Sequence, residues 1–159
     1  MRLTVTGGCG YVGSVLVPKL LALGHSVRVI DCQWFGNYLQ PHAKLKIIKG
    51  DIRDQTVPIG ATDAVIHLAG VANDPTGDLD PKLTWEINAL ATMQLADRAV
   101  REGVNQFIYA SSGSVYGVSD EPEVTENIPP VPTAREVQAR RENVRAGMCA
   151  RWEWKRPYL

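Results

Sequence analysis

The segment Gly7-Gly8-Cys9-Gly10-Tyr11-Val12-Gly13 constrains this chain more than any other. It follows Leu3-Thr4-Val5-Thr6, a short β-prone run. After it, Val12, Val15, Leu16, Leu20 and Leu23 recur at helical spacing, and Gly24 stands where such a helix ends. Pro18 falls inside this helix and predicts a kink, because it removes one backbone donor. A strand, then glycines at 7, 10 and 13, then a helix is an arrangement that cradles a pyrophosphate. Gly7 permits the tight turn, Gly10 lets backbone amides approach the phosphates, and Gly13 allows close helix–strand packing. Tyr11 and Val12 open the helix, whose first amides carry a partial positive charge toward an anion.

The rest of the chain alternates in the same way. Val27-Arg28-Val29-Ile30 predicts a second strand ending at Asp31, and Leu45-Lys46-Ile47-Ile48 a third ending near Gly50-Asp51. Ala64 to Ala69 predicts a fourth, apolar enough to be buried on both faces. Asp80-Pro81 marks a helix start, an acceptor at the cap followed by proline at the first helical position. Leu83, Ile87, Leu90, Ala91, Leu95 and Ala99 form one apolar face, and Gly103 ends the helix. Phe107-Ile108-Tyr109-Ala110 predicts a fifth strand. Strands separated by helices imply a parallel sheet with right-handed crossovers. The expected fold is therefore a doubly wound parallel sheet of Rossmann type, strand order 3-2-1-4-5, with a ligand across the carboxyl ends.

Asp31 lies 21 residues after Gly10, at the end of the second strand. A carboxylate there accepts hydrogen bonds from adenosine ribose hydroxyls and repels a 2′-phosphate. Cys32 and Gln33 supply no cation, so NAD is favoured over NADP. The surface alternative is a glycine-rich turn with an ordinary exposed aspartate.

Charge and cysteine content exclude other classes. Residues 1–132 carry 10 basic and 14 acidic side chains, net −4, which argues against a nucleic-acid surface. Residues 133–159 carry 7 basic against 3 acidic, net +4, so the whole chain sums to zero. Cys9, Cys32 and Cys149 are an odd count without CxxC spacing, which speaks against a disulfide framework or a structural zinc, and no metal site is expected. No apolar run reaches the length of a membrane span, and glycines interrupt the N-terminus at once. A soluble, cytoplasmic protein is the expectation.

These motifs together resemble the extended short-chain dehydrogenase/reductases, the NAD-dependent epimerases and dehydratases that act mostly on nucleotide sugars. The resemblance covers residues 1–132. It is carried by Thr6 to Gly13, Gly50-Asp51-Ile52-Arg53-Asp54, His67-Leu68-Ala69-Gly70, Asn88, and Ser111-Ser112-Gly113-Ser114-Val115-Tyr116-Gly117. It implies that Asp51 and Ile52 meet the adenine, that Leu68, Ala69 and Gly70 lie along the ribose and pyrophosphate, and that Asn88 pins the region under the nicotinamide half. Ser112 matches the serine that hydrogen-bonds the sugar oxygen. Read alone, Asp51 serves equally as a cap of the turn after the third strand, and Asn88 could face solvent. His67 reads as a core histidine with a backbone partner, Cys9 as packing, and Ser112 also as a strand-end serine satisfying the backbone.

The resemblance also implies a tyrosine base with a lysine four residues later, on one helix face, where the cation favours the phenolate. No such pair occurs: the residues four after Tyr11, Tyr38, Tyr109 and Tyr116 are Val15, His42, Gly113 and Asp120, and Tyr158 has none. The proline-bearing segment 117–132 reads as an extended loop, and the arginine-rich segment 133–159 does not resemble the family. The expected organisation is a dinucleotide-binding domain over 1–132 and a basic tail over 133–159, divergent or out of frame, or else a basic helix that covers a sheet edge or binds an acidic partner. Two functions stay open: an epimerase or dehydratase of a nucleotide sugar, inactive by the family mechanism for want of its base, or a non-catalytic NAD-binding module acting through a partner. Oligomeric state is open, a homodimer included. Trp34-Phe35-Gly36-Asn37 and the loop from Val71 to Pro75 shape the site or only pack locally.

Overall fold

Each apolar run becomes a strand because alternate side chains find a helix on either side of one sheet. The computed structural model describes residues 1–72, 79–110 and 125. Ser112, most of the loop 117–132 and the segment 133–159 lie outside the described residues. The strands are β1 (Arg2–Thr6), β2 (Ser26–Asp31), β3 (Leu45–Lys49), β4 (Ala64–His67) and β5 (Gln106–Tyr109). All pair in parallel in the order β3-β2-β1-β4-β5, the order expected.

Helix α1 (Tyr11–Ala22) covers one face of the sheet, where Val5, Val17, Val27 and Val29 form a core with Cys9 and Leu39. Its buried stripe departs from the expected one. Gly13 and Val17 are buried, while Val12, Val15 and Leu23 are exposed. The segment is apolar at most positions, so periodicity alone does not choose the face. Gly13 chooses it, because it is the residue that can sit against the backbone beneath. Pro18 lies on the exposed side and the helix runs on past it. The helix ends as glycine dictates: Gly24 has φ +84, and the Gly24 and His25 amides donate back to Leu21 and Leu20.

The opposite face is covered by a helical run that is not uniform. Helix α2 (Pro81–Trp85) starts at Asp80, whose Oδ1 accepts from the Leu83 amide at 2.9 Å. A π-helical stretch follows over Glu86–Ala91, and then α3 (Thr92–Arg101). The sequence reads as one continuous helix; the wider turn widens its buried face, so that Ile87, Asn88, Ala89, Ala91 and Thr92 are all buried. Gly103, with φ +70, closes α3 as expected. Leu95 and Ala99 pack there on Ile30, Val65 and Ile59.

His67 is fully buried on this face, beside Thr6 in the β1–β4 register. Where the sequence reading expects a backbone partner, threonine hydroxyls meet both ring nitrogens. Thr6 Oγ1 lies 2.6 Å from Nδ1 and Thr92 Oγ1 2.8 Å from Nε2. Its ring stacks on Tyr109 at 5.5 Å. It ties β1, β4 and α3 together as a core residue.

Candidate functional site

The carboxyl ends of the strands open into a cleft of about 890 Å³. Gly7, Gly10, Tyr11, Val12 and Gly13 line it from the β1–α1 loop, Asp31 from β2, Asp51 and Ile52 from the loop after β3, and Leu68, Ala69 and Gly70 from the chain after β4. Gly7 and Gly70, 63 positions apart, thus share one concavity, because parallel strands deliver their ends to the same edge.

The glycines differ in what they make possible. Gly7 has φ +71, and a Cβ there would stand 2.5 Å from the Ala69 amide nitrogen, so it serves both the turn and the close passage of the β4 strand end. A Cβ on Gly10 would meet only the Gly7 carbonyl oxygen, at 3.3 Å. On Gly13 it would stand 2.4 Å from the Gly8 carbonyl oxygen, so the close packing is of α1 onto the loop itself rather than onto a strand. Gly8, to which the sequence reading assigned no role, lies against Val29 of β2, where a Cβ would approach Cγ1 at 2.8 Å. The start of α1 has no side-chain cap and no acid in its first turn.

Asp31 is held in place. The Cys9 amide donates to Oδ2 at 2.9 Å and the Gln33 amide to Oδ1 at 2.7 Å. Each oxygen keeps accepting capacity beyond one bond. The role of Cys9 is thereby split. Its amide orients Asp31, while its buried thiol packs in the α1 core; burial first, then the neighbouring Asp31 charge, pushes the thiol up to about 11. It is a poor nucleophile, in line with a packing role.

Asp51 is engaged by Arg53. The Arg53 amide donates to Oδ1 at 2.8 Å, and the guanidinium reaches both oxygens, with Nη2 to Oδ2 at 2.7 Å. The turn-capping reading of Asp51 is therefore realised. The hydrogen bond from the Arg53 side chain holds this carboxyl below its ordinary value. Arg53 also stands 3.6 Å from Glu86 at the head of the π-helical stretch. Ile52 is buried against Val71, Ile87 and Ala91.

Asn88 lies outside the cleft wall but sets it. Buried, it accepts from the Val71 amide at 2.8 Å and donates to the Val71 carbonyl at 2.9 Å. The solvent-facing alternative does not hold; Asn88 pins the chain just past Gly70. Motif reading quoted Arg53 without a role and missed Arg98. Arg98 is 6% exposed and donates from Nη1 to the Gln55 carbonyl at 2.7 Å, tying the loop after β3 to α3. Its signal was a charge in an otherwise buried helical stripe.

A doubly wound parallel sheet with a glycine loop and an acid at the end of its second strand, both on one cleft, defines the Rossmann-type class. The chain belongs to the NAD-dependent epimerase/dehydratase family, whose model matches residues 3–138. It is similar to the UDP-glucose 4-epimerase of Corynebacterium glutamicum, 35% identical over 136 residues that make up 84% of this chain and 41% of that protein. The putative UDP-glucose 4-epimerase of Methanocaldococcus jannaschii is 31% identical over 79% of this chain and 43% of its own length. Among solved structures, the UDP-glucose 4-epimerase of Thermus thermophilus in complex with NAD superposes with TM-score 0.78 at 29% identity, over 91% of this chain and 49% of that one. A dTDP-glucose 4,6-dehydratase from Streptomyces venezuelae with NAD bound gives 0.80 at 28%, over 90% and 49%. The chain spans about two-fifths of these curated relatives and half of these structures.

Proposed function

We propose that this chain binds NAD in the cleft at the carboxyl ends of its strands, as the cofactor-binding part of an epimerase or dehydratase of a nucleotide sugar. The observation that carries the reading is the fixed carboxylate of Asp31 beside a glycine loop whose Gly10 leaves room for a phosphate. Asp31 would accept from the ribose hydroxyls. The uncapped first amides of α1, at Tyr11 and Val12, would face the pyrophosphate, and Gly7 and Gly13 keep the loop low enough for that approach. Leu68, Ala69 and Gly70 would floor the cleft, held by Asn88 through Val71, and Asp51 and Ile52 would border the adenine.

NAD, when bound, supplies the hydride acceptor for a sugar carbon. Ser112 would position the sugar hydroxyl. No tyrosine in these 159 residues has a lysine four positions later, so the proton acceptor of the family mechanism is not among them. The reading is therefore cofactor binding without sugar turnover by this chain alone.

Isothermal titration with NAD and NADP tests the first half, with NAD expected to bind at least about tenfold more tightly because Asp31 repels a 2′-phosphate. Equal affinity, or unchanged NAD binding in Asp31→Ala, overturns it. Incubation with NAD and UDP-, GDP- and dTDP-sugars tests the second: product formation would show that another residue acts as base.

A further inference from the structure

At the edge of the sheet away from the cleft, a hollow of about 290 Å³ opens between the starts of β1, β2 and β3 and the loop before β4. It shares no residue with the cleft. Arg2, Arg28, Lys44 and Lys46 line it, and no carboxylate among the described residues does. Two of these cations are engaged. Asp63 accepts from the Arg2 amide at 2.7 Å and from its guanidinium at 3.4 Å. Lys44 Nζ donates to the Gly24 carbonyl at 3.1 Å. Glu102, just past α3, stands against Gly60 of the loop but pairs with Arg98 at 3.8 Å.

Strand register brings the other two cations together with a buried hydroxyl. Thr4 pairs with Arg28, and Arg28 with Lys46, so their side chains stand in one row across β1, β2 and β3. The row lies on the face opposite α1, because Val27, Val29 and Ile47, which alternate with it, pack in the α1 core. Arg28 is held at one side only. Its Nη1 donates to the Gly60 carbonyl at 2.8 Å and stands 3.4 Å from the Pro58 carbonyl. Its Nε is buried and meets no acceptor among the described residues. Thr4 is fully buried, and its Oγ1 has no partner among them either. Such atoms are rare, because a buried donor or acceptor left unmet loses its water without return. Here two of them sit on paired residues of neighbouring strands, with the exposed Lys46 next in the row.

A ligand that meets all three accepts from a guanidinium, a hydroxyl and an ammonium. Water could serve Nε and the hydroxyl, but it would leave Arg28 and Lys46 as like charges directly opposite each other, which is unfavourable. An anion with several oxygens serves all three groups and removes the repulsion. We infer that this hollow binds a phosphate group, free or as the ester of a small molecule, between Thr4, Arg28 and Lys46. The volume suits a phosphate on a small group and not a dinucleotide. Nε and Oγ1 are covered, so the guanidinium turns about its long stem to admit the anion.

The test is amide chemical-shift titration of the full chain with sodium phosphate and with glycerol phosphate, chloride being exchanged so that ionic strength stays constant. Saturable shifts are expected around residues 27–28, 45–46 and 61–62 by about 20 mM, where a millimolar site is filled. The tighter of the two ligands shows whether the group is free or esterified. Arg28→Gln and Lys46→Gln should each weaken binding about tenfold, the loss expected of a hydrogen bond to a charged group. Thr4→Val is nearly isosteric. It should weaken binding severalfold without lowering the midpoint of urea unfolding, since the hydroxyl it removes has no partner in the chain. Shifts confined to the glycine loop, residues 7–13, would put the anion in the cleft and overturn the site. Shifts that sodium chloride reproduces, or unchanged affinity in folded Arg28→Gln or Thr4→Val, overturn it as well.

Discussion

Gly10 and Gly13 lie three residues apart in one loop, yet a methyl group on each meets different surroundings. At Gly13 it strikes the Gly8 backbone at 2.4 Å, and backbone cannot rotate away. Gly13→Ala should cost about 1–3 kcal/mol in urea unfolding, the range of overpacked sites. At Gly10 the methyl meets only one carbonyl, and φ −77 suits any residue. Gly10→Ala should stay within about 1 kcal/mol of wild type. Its NAD affinity should nonetheless fall about tenfold or more, since in the proposed mode of binding the methyl would stand where a phosphate approaches. Equal effects on folding and binding in both variants would contradict this division. Asp51 carries a second residue-scale prediction. Its folded pKa lies below its ordinary 3.8 because Arg53 donates to it. That contribution to stability is full above the ordinary value and is lost as pH falls through the lowered one. Arg53→Gln should therefore flatten the acid limb of stability between about pH 5 and 2, measured by urea unfolding at each pH. The glycine spacing was legible because each glycine answers a local backbone demand. The Asp51–Arg53 pair is only two residues apart, yet a motif says nothing of which partner a carboxylate takes.

The loop after β3 bears Asp51 and Ile52 and is held to the helical layer at three points. Arg53 meets Glu86, Gln55 Nε2 donates to Gln94 at 3.1 Å, and Arg98 donates to the Gln55 carbonyl. Arg98 is the buried one, and burial lowers its pKa, yet it stays charged at any ordinary pH. Arg98→Met keeps the stem and removes the tether. It should speed amide exchange over residues 51–57 more than in β1 or β4. The global loss should be about 1.5–3 kcal/mol, the worth of a hydrogen bond to a charged group. Uniform acceleration across the sheet would point to plain destabilisation instead. Element identity was legible from apolar period, caps and glycine stops. The buried face of α1 was not, since Val15, Leu16, Val17, Leu20 and Leu21 offer competing stripes. Nor was the π-helical stretch, whose wide turn suits the placing of Asn88 against Val71, a contact across 17 residues.

At the scale of the molecule, two core layers, one on each face of the sheet, support a single edge on which the glycine loop, Asp31, Asp51 and the chain after β4 meet. A ligand bound there touches several strand ends at once and should stabilise the fold as a whole. NAD at 100 times its Kd should add about 2.7 kcal/mol, seen as a rise in Tm that NADP at the same concentration does not match. A rise in Tm equal for both nucleotides would contradict the role given to Asp31. By itself the sequence determined the elements, their parallel arrangement and the acid-plus-glycine signature, because backbone freedom, proline, caps and apolar period act between near neighbours. The tertiary structure alone decided which face of α1 is buried, that His67 joins β1 to α3 through two threonines, that Arg98 fastens a loop, and that an aromatic turn borders the cleft. The His67, Asn88 and Arg98 contacts join residues 17 to 61 positions apart, where packing and register choose among partners that the local sequence leaves equivalent.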